Sequence, residues 1–433
     1  MAEIKPFRAW RYNEVLGENV DELTSPLFDV VSEKYRKKLY ENKFNSIHIS
    51  VPQEGPDGVL LDQRIANWKK DGVIVQDKTP AIYVYYQYFK LPGDNKEHCR
   101  KGFICNIRLY NWEEKVVLRH EDTMPHSVDD RKKLLEHTQL HVSPTHGLYT
   151  DENKNIDVYL DEAMANPIYD CEDYQGVRDV LGVIHDYKVI GEIIDLLKDK
   201  QVILADGHHR YQGALAYLEE QRVINPHHSN DAPYNFHTMY LTNTESDDLR
   251  IFPTHRLVKK IKKFKEEEFL NQLSAYFHIR SLDNEEDIRQ VISGKKWAFG
   301  LMIGEDVYKI RLKQEKYYEL DWEIPEVLKQ LDITILHYFI MEKVLGIKKE
   351  KQPSSKKIQF ERSMSACIKK VLGGKAQVAI LTQEVQMKTV KEVCYTGYTL
   401  PQKSTYFYPK VICGYLFGSI KEEDNNAKID RSF

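Results

Sequence analysis

The chain has 433 residues, more than one hydrophobic core usually organises, so we expect two or three domains. Its formal net charge of −4 excludes a general duplex-DNA binder, which needs a clustered basic face, although it leaves room for a local basic pocket. The six cysteines form no CxxC pair, so we expect reduced thiols. Neither a signal peptide nor a bilayer-spanning apolar stretch is visible, so we expect a cytoplasmic protein with no membrane partner.

The first half of the chain alternates strand-like and helix-like segments. Runs of apolar, β-branched and aromatic residues predict strands at residues 46–52, 81–89 and 103–110. Amphipathic patterns predict helices at residues 32–42, with Ser32 as the N-cap, and at residues 128–141 and 190–200. The alternation predicts an α+β fold with a mixed sheet rather than a repeat array.

The second half continues with similar elements. A hairpin is predicted at 297–312 with its turn near Gly304, a helix at 332–346, and strands at 377–383 and 406–418. The lysine-rich run 259–269 is interpreted as the solvated face of a helix rather than a nucleic-acid patch. We divide the chain into an N-terminal α+β domain, residues 1–250, and a C-terminal α+β region, residues 251–433, that closes the site.

The stretch "ILADGHHRYQGALAYL" places Asp206, Gly207, His208, His209 and Arg210 at a strand-to-helix turn. The first amides of a helix have no internal partner and carry the positive end of its dipole, so they bind anions. Glycine lets a ligand approach the backbone, arginine adds a forked donor, and the aspartate caps the helix or holds a cation such as Mg²⁺. We predict phosphate binding here, and the alternative is an ordinary surface turn. The Walker pattern is absent.

A second motif, "LRHEDTMPHSVDDRKKLLEHT", contains His120, Glu121 and Arg131. The zincin interpretation fails because HExT lacks the second histidine of HExxH. Glu121 has the chemistry of a general base or a magnesium ligand, and His120 has that of a residue that orients it. The alternative interpretation is a surface cluster of salt bridges.

Two further short motifs carry residue types that bind anions. They are Thr254-His255-Arg256 and Lys403-Ser404-Thr405. Each is also compatible with an ordinary function in the fold, a capped helix start for the first and a strand entry for the second.

These motifs, together with "IKPFRAW" and "SPLFDVVS", occur in the order found in the bacterial family catalogued as domain of unknown function 1015. The chain resembles that family from residue 6 to residue 418. Phe28 stands where the family usually has tyrosine, so the ring is kept and the hydroxyl is lost. Asp29, beside it, is retained.

The strand, Gly-His-His-Arg turn and helix are also similar to the phosphate-binding turn of the ParB/sulfiredoxin-like fold, which includes free-serine kinases. This resemblance implies a mixed-sheet core of that fold elaborated with a second α+β region. It further implies ATP or ADP with Mg²⁺, and phosphoryl transfer to a small molecule such as L-serine. Glu121 or Asp29 would accept the hydroxyl proton, and Arg131, Arg256 or Lys403 would neutralise the transferred charge.

Two other functions stay open. One is a nucleotide-dependent switch protein of the ParB type, without turnover of a small molecule. The other is a metal-dependent phosphohydrolase whose ligands come from the histidines and carboxylates named above. Sulfiredoxin-like repair needs a cysteine at the turn, where this chain has His208 and His209. The sequence does not determine the acceptor or the oligomeric state.

Overall fold

The structure is a computed structural model that describes residues 1–53, 60–91, 94–284, 287–401 and 403–425. It contains two compact units. The first unit comprises Met1–Arg119, Thr123–Arg250 and Pro409–Phe433, and the second comprises His120–Asp122 and Ile251–Tyr408. This grouping differs from a division at residue 250 in two segments, because residues 409–433 group with the first unit and residues 120–122 with the second.

The strands, in chain order, are β1 Ile4–Lys5, β2 Trp10–Tyr12, β3 Ile74–Gln76, β4 Ile82–Lys90, β5 Glu97–Arg108, β6 Val117–Arg119, β7 Leu140–His141, β8 Thr145–Tyr149, β9 Tyr169–Glu172, β10 Arg178–Ile184, β11 Val202–Asp206, β12 Phe236–Asn243, β13 Arg250–Phe252, β14 His255–Val258, β15 Phe277–Leu282, β16 Ala298–Ile303, β17 Asp306–Leu312, β18 Ile358–Glu361, β19 Val378–Leu381, β20 Tyr406–Tyr408 and β21 Gly418–Ser419. The helices are α1 Glu14–Gly17, α2 Val20–Leu23, α3 Glu33–Leu39, α4 Ile47–Ser50, α5 Leu61–Lys70, α6 Pro125–Thr138, α7 Asp157–Ala163, α8 Tyr187–Leu197, α9 His208–Ile224, α10 Glu266–Ser274, α11 Asp287–Ile292, α12 Glu326–Lys329, α13 Asp332–Ile335, α14 Met364–Leu372, α15 Met387–Tyr395 and α16 Glu422–Asn425.

The first unit is built on a mixed sheet in the order β6-β11-β8-β12-β5-β4-β10-β9, and β1 pairs with β5. Strand β11 runs parallel to β6 and antiparallel to β8, while β12 runs parallel to β8. The predicted α+β fold with a mixed sheet is therefore confirmed. Its likeness to the ParB/sulfiredoxin-like core stays a prediction.

Local sequence signals account for several elements of this unit. Strand β4 and the second half of β5 are rich in apolar and aromatic residues that are mostly buried, as the runs at 81–89 and 103–110 predicted. Ser32 caps α3 by accepting a hydrogen bond from the Tyr35 amide at 3.2 Å, as predicted. None of the helices in the described part of the chain combines the length and apolar composition needed to cross a bilayer.

The second unit is built on an antiparallel sheet in the order β15-β17-β16-β19-β14-β18. The predicted hairpin is confirmed as β16 and β17, whose turn contains Gly304 at φ +56°. The predicted helix at 332–346 is confirmed as α13 continued by a π-helix over Leu336–Val344, and Gly346 ends it at φ +65°.

The predicted strand at residues 46–52 is wrong, because Ile47–Ser50 form the short helix α4. Asn45 starts this turn by accepting a hydrogen bond from the Ile47 amide at 2.9 Å and donating to the carbonyl of Thr24 at 2.8 Å. The Ile47 and Ile49 side chains are both buried. Tertiary contacts therefore decide the conformation of a segment whose β-branched residues favour a strand.

Two other segments differ from their predictions. Residues 406–418 form only the short strands β20 and β21, because Pro409 and Gly414, at φ +111°, interrupt the extended run. In the lysine-rich run 259–269, the helix begins only at Glu266, and Lys260 and Lys263 have left-handed backbone conformations that no helix contains.

Candidate functional site

The turn between β11 and α9, where the sequence predicts phosphate binding, begins the helix with a glycine. Gly207 is the N-cap at φ +88°, it makes no side-chain hydrogen bond to the first turn, and that turn contains no acidic residue. A Cβ atom at Gly207 would lie 2.6 Å from Thr145 Cγ2 and 2.8 Å from Arg210 Nη2. Glycine is therefore required both by the backbone conformation and by the space.

Replacing Gly207 by alanine is expected to destabilise the first unit by about 2 kcal/mol. The alanine has the cost of a left-handed backbone, and its Cβ also makes a contact that is too short. Gly176 provides the matched control, since it has φ +76° and no heavy atom within 4 Å of an added Cβ. Urea unfolding of both alanine variants separates the cost of the left-handed backbone from the cost of the short contact. Equal losses at the two sites would contradict the crowding around Gly207.

Two cations are fixed beside this turn by one carboxylate. Asp206 accepts a hydrogen bond from Arg210 Nη2 at 2.9 Å and pairs through its other oxygen with Lys410 Nζ. Arg210 Nη1 donates to Ser143 Oγ at 2.8 Å and to the Pro144 carbonyl at 2.7 Å. The three charged side chains are only 10 to 16% exposed, and together they carry a net charge of +1.

The carboxyl of Asp206 is held ionised. Burial alone would raise its pKa, but Lys410 and Arg210 hold the pKa well below its usual range. Since both oxygens face cations, the carboxylate anchors these side chains and is poorly placed to ligate Mg²⁺. Among the described residues, no group of three or more histidines, cysteines and carboxylates is arranged to hold a metal ion.

The two histidines of the turn have different surroundings from those of metal ligands. His209 Nε2 accepts a hydrogen bond from the Met124 amide at 3.1 Å, so its ring is neutral and satisfies a backbone amide at the start of α6. His208 is buried, at 8% exposed. We assign His209 to positioning the turn, and phosphate binding by His208 stays a prediction.

Further segments of the first unit meet at Arg210. Burial raises the pKa of the Cys413 thiol, while Arg210 acts to lower it. Cys413 Sγ donates a hydrogen bond to the Pro26 carbonyl at 3.9 Å. The backbone amide of Ser25 also donates to the Cys413 carbonyl at 3.0 Å. Three loops therefore converge on the turn.

The predicted residue Arg131 lines a cavity of about 30 Å³ together with Arg210, and Asp29 follows the Phe28 that Arg131 contacts. The guanidinium of Arg131 stacks on the ring of Phe28 at 4.2 Å from its centroid and donates to the Ser50 carbonyl at 3.0 Å. Asp29 is exposed on the turn that follows Phe28. The missing tyrosine hydroxyl is thus not needed for the ring to support the arginine.

In the second unit, two of the predicted motifs come together. Glu121 Oε1 accepts hydrogen bonds from the Ser404 amide at 3.1 Å and from Thr405 Oγ1 at 3.4 Å. His120 Nε2 lies 2.7 Å from the same Thr405 hydroxyl, and 3.8 Å from Glu121. The geometry shows Glu121 anchoring the loop that carries Lys403.

The third motif lies inside the second unit on strand β14. Arg256 is fully buried and donates to the carbonyls of Thr254 and Lys403, the latter at 3.3 Å. Burial lowers the pKa of Arg256 to about 9. His255 Nδ1 accepts from the Thr382 amide at 3.2 Å, and burial lowers its pKa to about 4, so the ring is neutral. We therefore assign Arg256 as a clamp on the Lys403 loop.

The structure thus sorts the predicted residues into two groups. Asp29, Arg131 and the Asp206–Arg210 turn belong to the first unit, while the motifs around Glu121, Arg256 and Lys403 belong to the second. Sequence reasoning did not assign Lys410, Ser143 or Cys413 to the site. Only the "PK" in "YFYPKVICG" offered a signal, because Ser143 lies in an unremarkable loop.

Three solved structures are similar at low identity. The free serine kinase in complex with AMP has 12% identity and a TM-score of 0.34, covering 73% of this chain and 92% of its own. A conserved hypothetical protein from Pyrococcus furiosus has 11% identity and a TM-score of 0.34, covering 71% and 90%. SbnI with C-terminal truncation from Staphylococcus aureus has 11% identity and a TM-score of 0.36, covering 72% and 85%. TM-scores this low carry no argument about function.

No curated protein matches the chain. A family model does, and it covers residues 4–334, about three quarters of the length, which include Glu121, the Gly207 turn and Arg256 but neither Lys403 nor Lys410. The match agrees with the order of motifs that carried the resemblance. The chain belongs to the family described as protein of unknown function, DUF1015.

Proposed function

We propose that the protein binds a nucleotide through its phosphates at the Gly207 turn and transfers a phosphoryl group to a small hydroxyl-bearing molecule, of which free L-serine is the first candidate. One observation carries the proposal. Arg210 and Lys410 are both fixed by Asp206 beside the N-terminus of the long helix α9, whose N-cap is Gly207. Anions bind where helix amides and fixed cations face the same point.

The three charged side chains have separate roles in this proposal. Asp206 and Arg210 shape the turn, because the guanidinium is also bonded to Ser143 and Pro144. Lys410 supplies an ammonium group with three donors, and a phosphate oxygen is a suitable acceptor for one of them. An associated Mg²⁺ would arrive with the nucleotide and neutralise its charge, since the described residues contain no metal cluster.

The phosphoryl transfer in this proposal rests on the resemblance to free-serine kinases and on the position of Asp29. This carboxylate is exposed in the loop that Ser25 and Phe28 attach to Cys413 and Arg131. In the proposed reaction, Asp29 would take the proton of the acceptor hydroxyl. The oxygen of that hydroxyl bonds to the terminal phosphorus of the nucleotide, the bond from this phosphorus to the bridging oxygen breaks, and the nucleoside diphosphate leaves. Glu121, in the second unit, stays a prediction for the same role.

The test begins with calorimetric titration of ATP and ADP, with and without Mg²⁺. Changing Lys410 to glutamine is expected to weaken nucleotide binding by about ten- to a hundredfold, because a charge-assisted hydrogen bond contributes about 1.5–3 kcal/mol. Lys188, exposed at the start of α8, is the matched control when changed to glutamine. Equal affinities in all three proteins, with the variants folded, would remove the nucleotide site from this turn.

Turnover is then measured by phosphorus NMR with L-serine and other amino acids as acceptors. A phosphorylated product that depends on Asp29, with unchanged nucleotide affinity in Asp29→Asn, would support the phosphotransferase. Nucleotide binding without product from any acceptor would favour the switch protein. That second candidate rests on the same phosphate turn.

A further inference from the structure

The second unit contains an open cleft of about 400 Å³ at the edge strand β18. Its lining is dominated by Lys259, Lys260, Lys356, Gln359, Phe360 and Lys403. The first two come from the chain after β14, the third from the loop before β18, and the last from the loop held by Glu121. The topology therefore brings together lysines that lie far apart in the sequence.

The cleft is strongly cationic in a chain whose net charge is −4. Four of its lining residues are lysines, and none is a carboxylate. Within the described ranges, none of these lysines forms an ion pair with an aspartate or glutamate. Four ammonium groups around one concave surface repel each other and together attract a multiply charged anion.

Contacts within the unit orient part of this charge. Lys259 Nζ donates to Gln359 Oε1 at 3.0 Å, and its amide donates to the Lys357 carbonyl at 2.9 Å. Lys403 Nζ lies 5.3 Å from the ring centroid of Phe360, which the buried Arg256 approaches to 4.9 Å. Lys259 is thus held by hydrogen bonds, and Lys403 lies near the ring of Phe360, so neither is an isolated surface side chain.

Two of the four lysines have a left-handed backbone, with φ +60° at Lys260 and φ +56° at Lys403. Non-glycine residues seldom adopt this conformation, and it costs about 1 kcal/mol or more. The Lys403 conformation is maintained by Arg256, which bonds its carbonyl at 3.3 Å, and by Glu121, which bonds the next amide at 3.1 Å. Strained lysines at both sides of one cleft point to a function for their positions.

We propose that this cleft binds a small molecule carrying several contiguous phosphate groups, at a site separate from the Gly207 turn. Its volume falls within the range of small-molecule sites. The ring of Phe360 already contacts two cations, so the recognition is of charge rather than of a stacked base. The overall acidic balance of the chain argues against a long nucleic acid as the ligand.

The probe is inorganic tripolyphosphate, tested on the full chain carrying Lys410→Gln so that the Gly207 turn does not contribute. Acylation of lysines followed by mass spectrometry is expected to show protection of the four cleft lysines and none of Lys375, an exposed lysine of the same unit. In calorimetry, the added pair Lys259→Gln and Lys356→Gln should lower the affinity at least tenfold and flatten its dependence on salt. Lys375→Gln should change neither.

Protection spread equally over Lys375 and the cleft, or an affinity that the double substitution leaves unchanged, would overturn the proposal. So would binding of single-stranded RNA in the absence of any binding of tripolyphosphate. The Lys410→Gln background keeps the two sites distinguishable. Failure at the cleft leaves nucleotide binding at the turn intact, and loss of nucleotide binding leaves cleft protection intact.

Discussion

Asp206→Asn is expected to destabilise the first unit by about 3–5 kcal/mol at pH 7, because the change leaves two largely buried cations without their shared counter-charge. Arg210 and Lys410 are only 10 and 12% exposed, so water screens them little. The asparagine keeps the shape of the side chain and removes the negative charge. The loss therefore reports on electrostatics rather than on a cavity.

The dependence on pH follows from the lowered pKa of Asp206. A carboxyl whose pKa is depressed in the folded state contributes stability above its unfolded pKa, about 4, and loses it as pH falls through the folded value. The difference between wild type and Asp206→Asn should therefore be constant from about pH 5 to pH 8 and shrink only in stronger acid.

The measurement is urea unfolding at several pH values, with hydrogen exchange of the α9 amides as a local readout. Asp170→Asn is the matched control in the same unit, since its pair with Arg178 is 39 and 51% exposed. Removing such a surface pair costs about 0–1 kcal/mol. A loss at Asp206 no larger than that at Asp170 would show that the two cations do not depend on this carboxylate.

His237→Phe is expected to stabilise the first unit, most strongly in mild acid. The His237 ring is 2% exposed, and within the described part of the chain neither of its nitrogens has a hydrogen-bond partner. Leaving a polar group buried in this way costs about 1–3 kcal/mol. His237 adjoins a cavity of about 30 Å³ that His141 and Arg210 also line, which provides room for the larger ring.

The acid part of the effect has a definite sign. Burial, helped by His141 and Arg210, lowers the pKa of His237 well below its usual value. Below about pH 6.5, His237 therefore binds a proton in the unfolded chain but not in the folded chain. The free energy of unfolding falls by about 1.4 kcal/mol for each pH unit of acidification. At about pH 5, the His237→Phe variant avoids a loss of about 2 kcal/mol in addition to its advantage at neutral pH.

Urea unfolding at pH 7 and pH 5, with hydrogen exchange along β12, tests this expectation. The control changes the exposed His126 to phenylalanine, which introduces the same ring without removing a buried histidine. A slope between the two pH values that is the same in His237→Phe and wild type would contradict a neutral, buried histidine at this position.

The chain by itself determined the features that depend on neighbours in sequence. The Gly207 turn was predictable because a buried strand, a glycine and a helical pattern follow one another within 16 residues, "ILADGHHRYQGALAYL". The strands β4 and β5, the cap at Ser32 and the hairpin of β16 and β17 were predictable for the same reason. The α+β class followed from the alternation of these elements.

The partners of the turn depended on contacts that sequence patterns do not contain. Lys410 reaches Asp206 across 204 positions of the chain, and Arg210 reaches Ser143 across 67. Equally, the Asn45 hydrogen bonds made a helix of residues expected to form a strand. A propensity contributes only tenths of a kcal/mol per residue, so a few buried contacts override it.

The basic cleft shows the same division between local and tertiary information. The sequence revealed the lysines of the run 259–269 but assigned them to a helix, because an amphipathic count cannot detect that Lys260 has a left-handed backbone. Two tertiary features bring Lys356 and Lys403 to the same surface: β18 pairs with β14, and Arg256 and Glu121 hold the Lys403 loop. Residue types along the chain are readable from the sequence, but which charged side chains lie together depends on long-range pairing, and charges interact strongly only at short distances.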